Sequence, residues 1–487
     1  GNKGLLCPIR VWARRLLRVE AAILGRALTQ KVTKENPLGT VRSMSKPELE
    51  GYHGEILRHL EKSGAKIGRV LRITSKSGEV FEGVLIPRSE YADRSHICLK
   101  MKNGYNIGIH LDRAERIEVI GEGEKPRFTR PPPKRERAGL PKVTILSTGG
   151  TIASRVDYRT GAVQPALTAE DLTSVVPELA SLADIDAHIL YSEFSENLTP
   201  SHWKGMAEEV GKRIRAGTDG VVISHGTDTM HYTAAALSFA LQNLPVPVLV
   251  VGAQRSSDRP SSDSASNLTG AVGLAARADM AVVGLVMHQD LSDRYIVAHM
   301  GTRVRKCHTS RRDTFKSINS PPLARYDLAT GRADMLDGVP GRDRARLLEL
   351  KSHFDHHAYL LKYYPGFNPA LIKSAVDAGA RGIVLEGTGL GHVSKQCQDP
   401  IRKALKKDVP VFMTSQTIWG RVDMNVYDNG RDLLNIGVTP LEDMLPETAL
   451  VKLSWVLGQA RTSDKICAMM TEPMVGEITA RTLAEAA

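Results

Sequence analysis

The chain has 487 residues, 42% hydrophobic and 24% charged. That length points to two to four domains with sizeable cores and excludes a disordered chain, a collagen-like repeat or a small disulfide scaffold. The net charge is +11, but residues 1–43 carry nine basic and two acidic residues, so most of the excess belongs to the N-terminus. A small remaining excess spread over the rest is a poor footprint for a nucleic-acid groove.

Within residues 5–28, Leu6, Ile9, Leu16, Leu17, Leu24 and Leu28 can share one helical face, with Arg14, Arg15 and Arg18 elsewhere. A basic amphipathic helix suits a transit peptide or a surface anchor. Ordinary composition begins at Met44, and residues 1–43 are expected to precede the natural start. No apolar run is long enough for a membrane-spanning helix.

Residues 50–62 read as a helix. Five short segments follow, at 69–74, 79–86, 96–101, 105–111 and 116–120, punctuated by turns such as Ser77-Gly78 and Asn103-Gly104. Five short strands with tight turns predict a small β-barrel, a docking or spacer module or a binder of RNA or protein. Residues 121–141 are rich in proline, glycine and charge and read as a linker, solvated or touching RNA phosphates.

From 142 onward the pattern alternates strands with helices. Apolar strands are predicted at 142–147, 219–224, 246–252 and 280–287, with helices such as HYTAAALSFALQN between them. Continuous apolar strands between helices indicate a parallel sheet covered on both faces. A smaller α/β unit begins near His356, with strands at 358–364, 381–386 and 409–415. The polar residues 310–355 read as the crossing segment.

Cys7, Cys98, Cys307, Cys397 and Cys467 are odd in number and form no CxxC pair. This pattern opposes a disulfide framework or a zinc site and suits a reducing compartment. His353, His356 and His357 cluster without the spacing of metal ligands.

Two strand-to-turn motifs carry the chemistry: STGGTIAS from Ser147 to Ser154, and SHGTDTM from Ser224 to Met230. In open α/β sheets, ligands bind beyond the carboxyl ends of the strands. Gly149, Gly150 and Gly226 let backbone approach a ligand there. Thr151, Thr227 and Asp228 would line that crevice, beside the positive end of the following helix. The pair of motifs, with VVGAQR at 250–255, SSDSASN at 261–267 and RVRKCHTSRRDTF at 303–315, resembles the asparaginase/glutaminase family over about 142–460. With its N-terminal barrel and basic linker, the chain is similar to the family of archaeal glutamyl-tRNA(Gln) amidotransferase D subunits.

That resemblance implies an α/β chain: a small SH3-like β-barrel followed by a two-domain asparaginase-like body with a parallel sheet. The division expected is a basic extension at 1–43, helix plus barrel at 44–120, linker at 121–141, a large domain at 142–310, a connection at 311–355 and a smaller domain with tail at 356–487. It implies glutamine amide hydrolysis, with ammonia passing to the amidotransferase's E subunit, which uses ATP and Mg to amidate glutamyl-tRNA(Gln) in the cytoplasm. Two D and two E subunits are implied, with D as a homodimeric centre and no cofactor or metal in this chain. A free-standing L-asparaginase is the alternative.

By the same resemblance, Thr151 is the nucleophile and Thr227, Asp228 and Lys306 form the second, activating group, although the sequence leaves open which of the two threonines attacks first. A threonine hydroxyl needs a nearby base to attack. Lys306 either loses its proton to serve as that base or stays charged and pairs with Asp228. Ser195 and Glu196 are placed at the α-carboxylate and α-ammonium of the substrate, or else cap a helix. Tyr158 lies in a lid implied at 155–163. His392, in GTGLGHV, faces an interface between protomers or caps a helix; that segment lacks the ending of a phosphate loop.

Overall fold

The computed structural model describes residue 49 and residues 51–88, 93–101, 106–122, 139–149, 154–157, 162–165, 176–255, 261–336 and 338–481. The amphipathic stretch at 5–28, Thr151, Tyr158 and most of the linker lie outside the described residues.

The helix Gly54–Lys62 buries Ile56 and Leu60. It precedes β1 (Arg69–Ser75), β2 (Val80–Leu85), β3 (His96–Met101), β4 (Asn106–His110) and β5 (Ala114–Glu122). These strands form one antiparallel sheet in the order β4-β3-β2-β1-β5. Alternation drives it inward: Leu71 and Ile73 on β1 and Ile97 and Leu99 on β3 join Leu60 and Tyr52 in a single apolar cluster. The expected elements are all present, but β4 and β5 remain at opposite edges of the sheet rather than pairing to close it.

Next come β6 (Lys142–Ser147), a hairpin of β7 (Ser154–Asp157) and β8 (Ala162–Pro165), β9 (Asp184–Ile189), β10 (Gly220–Ser224), the short β11 (Leu241–Gln242), β12 (Val248–Val251), β13 (Val283–His288) and β14 (Tyr295–Met300). The short β15 (Val304–Lys306) and β16 (Phe315–Ser317) pair with each other, and β17 (Ala324–Asp327), β18 (Arg332–Met335) and β19 (Glu349–Leu350) follow. The main sheet has eight strands in the order β18-β17-β14-β13-β12-β10-β6-β9. β9, β6, β10, β12 and β13 run parallel, whereas β14, β17 and β18 are added antiparallel. The sheet is therefore mixed, not the wholly parallel one the apolar runs suggested. The polar stretch read as a connection supplies two of its strands, because an edge strand needs only one apolar face.

Strand alternation builds a three-layer sandwich. Val143, Ile145, Val222, Leu249 and Val286 face the helix Ser264–Arg277. Their neighbours Leu146, Val221, Ile223, Val248 and Leu285 face the helices Pro200–Arg215 and Met230–Ala240. The second lobe is a parallel sheet of β20 (Ala358–Lys362), β21 (Gly382–Gly387), β22 (Val411–Ser415) and β23 (Thr439–Pro440). Helix Met230–Ala240 is held between the lobes: Ala235, Ala236 and Phe239 pack with Val384, Phe412 and Trp455. The Phe239 and Trp455 rings stack at 5.8 Å. Such enclosure explains why this helix is apolar all round rather than on one stripe.

Candidate active site

Three adjacent strands end side by side. Ser147 of β6 is in register with Ser224 of β10, and Ser224 with Val251 of β12. The turns leaving them are tied together: Thr148 donates from both N and Oγ1 to the Ser224 carbonyl, and His225 N donates to the Val251 carbonyl. Both signature motifs thus meet at the carboxyl edge of the sheet, where its parallel strands leave backbone free to face a ligand.

Glycine permits the close approach. Gly149 has φ +117°, and a Cβ there would lie 2.2 Å from the Glu193 carbonyl oxygen. A Cβ on Gly226 would lie 2.9 Å from Ser195 Cβ and 3.0 Å from its Oγ. Ser195 is thereby pressed against the second motif. Its carbonyl accepts a 2.7 Å hydrogen bond from Thr229 Oγ1. Ser195 is buried, and Glu196 beside it is exposed. Neither caps a helix: the nearby helix is capped by Thr199, whose N–H donates to His202 Nδ1.

Lys306 reaches in from the end of β15. Its Nζ donates to Thr227 Oγ1 at 2.9 Å and to Asp228 Oδ1 at 2.6 Å. The lysine is 11% exposed and the aspartate 71%, so the lysine sits in the wall and the carboxylate at the mouth. A hydroxyl, an amine and a carboxylate in one chain can pass a proton between oxygen and nitrogen. Helix Met230–Ala240 begins immediately after this turn and directs its positive end towards it.

Beneath the turn lie two histidines that motif reading did not single out. His225 sits at Nδ1 2.7 Å from the Gly226 carbonyl and at Nε2 2.9 Å from Thr233 Oγ1. Burial pushes it down to about 4, so it stays neutral at neutral pH. His231 is pushed down to about 3, mainly by burial and further by the cations Arg305 and Lys306. The signal available for both was their place within the strand–turn–helix motif itself. Cys307, next to Lys306, is exposed; partial burial nonetheless raises its thiol, so it is not a ready thiolate.

His392 packs edge-to-face on Tyr427 at 5.4 Å rather than capping a helix. His357 pairs with Asp355 at 2.7 Å, and His356 lies 3.5 Å from Ser201 Oγ. Among the described residues, no group of three or more His, Cys, Asp or Glu is placed to hold a metal ion.

Known proteins resemble the chain in sequence and in fold. A model described as "Asparaginase, N-terminal" matches residues 142–335, "Glutaminase/Asparaginase C-terminal domain" matches 358–470, and "GatD N-terminal domain" matches 65–120. The D subunit of glutamyl-tRNA(Gln) amidotransferase from Thermococcus kodakarensis is 47% identical over 426 residues, 86% of this chain and 96% of that one. Its counterpart in Methanopyrus kandleri is 47% identical over 437 residues, 88% of this chain and 95% of that one. In fold, the thermostable L-asparaginase from Thermococcus kodakarensis superposes with a TM-score of 0.62 at 30% identity, covering 70% of this chain and 99% of that one. L-asparaginase I from Vibrio cholerae gives 0.61 at 27%, with the same coverage of each chain. The chain belongs to the family of glutamyl-tRNA(Gln) amidotransferase D subunits, built on an asparaginase-type body.

Proposed function

We propose that this chain hydrolyses the side-chain amide of glutamine and supplies the ammonia for converting glutamyl-tRNA(Gln) to glutaminyl-tRNA(Gln). The observation that carries the reading is the Lys306–Thr227–Asp228 constellation, at the sheet edge of a chain that matches D subunits over nearly their whole length. The asparaginase-type models match from residue 142 onward and a separate model matches 65–120, so the N-terminal module is additional to the amidohydrolase body. That module is read as an SH3-like barrel serving the assembly rather than the chemistry.

In the proposed reaction, the Thr151 hydroxyl oxygen attacks the amide carbon and gives up its proton. The C–N bond breaks, the nitrogen leaves as ammonia, and an ester to Thr151 remains. Water then attacks that ester, releasing glutamate and restoring the hydroxyl. Thr227, Lys306 and Asp228 relay the proton in each half. Ser195 donates to the α-carboxylate, Glu196 and Asp228 face the α-ammonium, and Tyr158 closes over the bound amide. These steps need no metal or cofactor held by this chain. ATP and Mg act in the partner, the E subunit, which carries out the amidation on glutamyl-tRNA(Gln). We read the assembly as two D and two E subunits around a D homodimer, in the cytoplasm.

The test is ammonia release from glutamine and from asparagine, with and without the E subunit and glutamyl-tRNA(Gln). Glutamine turnover that rises sharply with both supports the reading. Vigorous asparagine turnover that ignores both refutes it and identifies a free-standing L-asparaginase.

A further inference from the structure

Lys306 is the last residue of a strand that cannot hold itself. β15 and β16 are three residues each and, among the described strands, pair with one another alone. An isolated two-stranded ribbon of that length has little stability of its own. Val304 and Phe315 root it in the core of the first lobe, and His299 Nδ1 lies 2.8 Å from Ser317 Oγ; further ties come from the second lobe. Thr448 Oγ1 donates to the Thr302 carbonyl at 3.0 Å, and Thr302 Oγ1 to the Val475 carbonyl at 3.2 Å. Arg303, fully buried, meets Asp443 Oδ2 at 3.0 Å and the Gly476 carbonyl at 2.8 Å. Arg305 Nε lies 3.0 Å from Glu447 Oε1.

The last of these contacts is the nearest to the chemistry. Arg305 is adjacent to Lys306 on the strand. Glu447 stands in the first turn of the helix Pro446–Gln459, where a carboxylate suits the positive helix end. It is 9% exposed, and its Oε2 is buried without a hydrogen-bond partner. A carboxylate is costly to bury in that way unless its cation partner is held firmly. The pair therefore fixes both ends: Glu447 cannot turn to water, and Arg305 cannot swing away without stranding it.

We propose that Glu447 is a positioning residue for Lys306, acting through Arg305, so that the second lobe sets the geometry of a site whose acting side chains belong to the first. The proposal rests on Lys306 being part of the catalytic set. Losing the pair lets the end of β15 drift, and a misplacement of about 1 Å at a reacting group costs up to about a hundredfold in rate. Substrate is held by Ser195, Glu196 and Asp228, all on segments other than β15, and Asp228 stays in place on its own turn when Lys306 shifts, so KM is left alone.

The experiment measures kcat and KM for glutamine in the full complex with Glu447→Ala, Arg305→Met and the double variant. The expected result is a fall in kcat of about tenfold or more for each single variant at unchanged KM, with the double variant no worse than either single. Arg305 is the more exposed partner, at 22%, so Arg305→Met serves if Glu447→Ala does not fold. Glu447→Gln keeps an acceptor for Arg305 Nε and is expected to recover most of the lost rate. Losses that multiply in the double variant, a rise in KM instead of a fall in kcat, or full activity in Arg305→Met overturns the proposal. Full activity in Lys306→Met would sink the functional reading itself. Loss of activity there, alongside unaffected Arg305→Met, sinks only this inference.

Discussion

Replacing Lys306 by methionine separates activity from stability. The side chain keeps its length and apolar stem and loses the ammonium that bonds Thr227 and Asp228. The ion pair it breaks is half in water, because Asp228 is 71% exposed. An aspartate so exposed is solvated once its partner has gone, and pairs of this kind contribute about 0–1 kcal/mol. The expected change in Tm is therefore no more than about 3 °C. Proton transfer by a positioned group is worth about 10²–10⁴-fold, so kcat for glutamine should fall by about that factor. The assay is ammonia release from the full complex, with thermal unfolding of the same preparation followed alongside. Activity within about tenfold of the parent would show that the lysine does not take part in the proton relay. A collapse of Tm together with activity would show that Lys306 mainly holds the fold, and the mechanism above would lose its support.

Gly226→Ala places a Cβ 2.9 Å from Ser195 Cβ. A destabilisation of about 1–3 kcal/mol is expected, with a raised KM for glutamine as Ser195 is displaced; an unchanged KM would refute the substrate-binding role of that contact. His225 is pushed down to about 4 from 6.5, and His231 and His299 to about 3, chiefly by burial. Their folded values lie below their unfolded ones, so their stabilising contribution is complete above about pH 6.5 and is lost as the pH falls towards 4. Each should cost about 2 kcal/mol by pH 5, and thermal unfolding that is the same at pH 7 and pH 5 would contradict this. Lys452 and Glu477 form a pair with both side chains fully buried, at 2.5 Å. Lys452→Met should cost about 3–5 kcal/mol in chemical denaturation, and adding Glu477→Gln should recover much of it; a single variant as stable as the parent would refute the burial argument.

The sequence by itself determined the strand–turn–helix units and the chemistry placed on them. β6, β10, β12 and β13 are continuous apolar runs because both faces of the sheet are covered, and that pattern reads directly from residues 142–147 or 219–224. The two motifs were legible for the same local reason: a strand end, glycines at the turn and hydroxyl or carboxylate side chains follow one another in the chain. What only the tertiary structure decided is whatever joins distant segments. β17 and β18 complete the main sheet from a stretch too polar to announce itself, since an edge strand buries one face only. Lys306 meets Thr227 and Asp228 from another part of the chain, and no spacing rule specifies that distance. In sequence Arg303 and Arg305 are only the basic neighbours of Lys306, with no carboxylate beside them. The fold turns them inward, because Asp443 and Glu447, from the far lobe, supply the carboxylates without which neither cation could be buried.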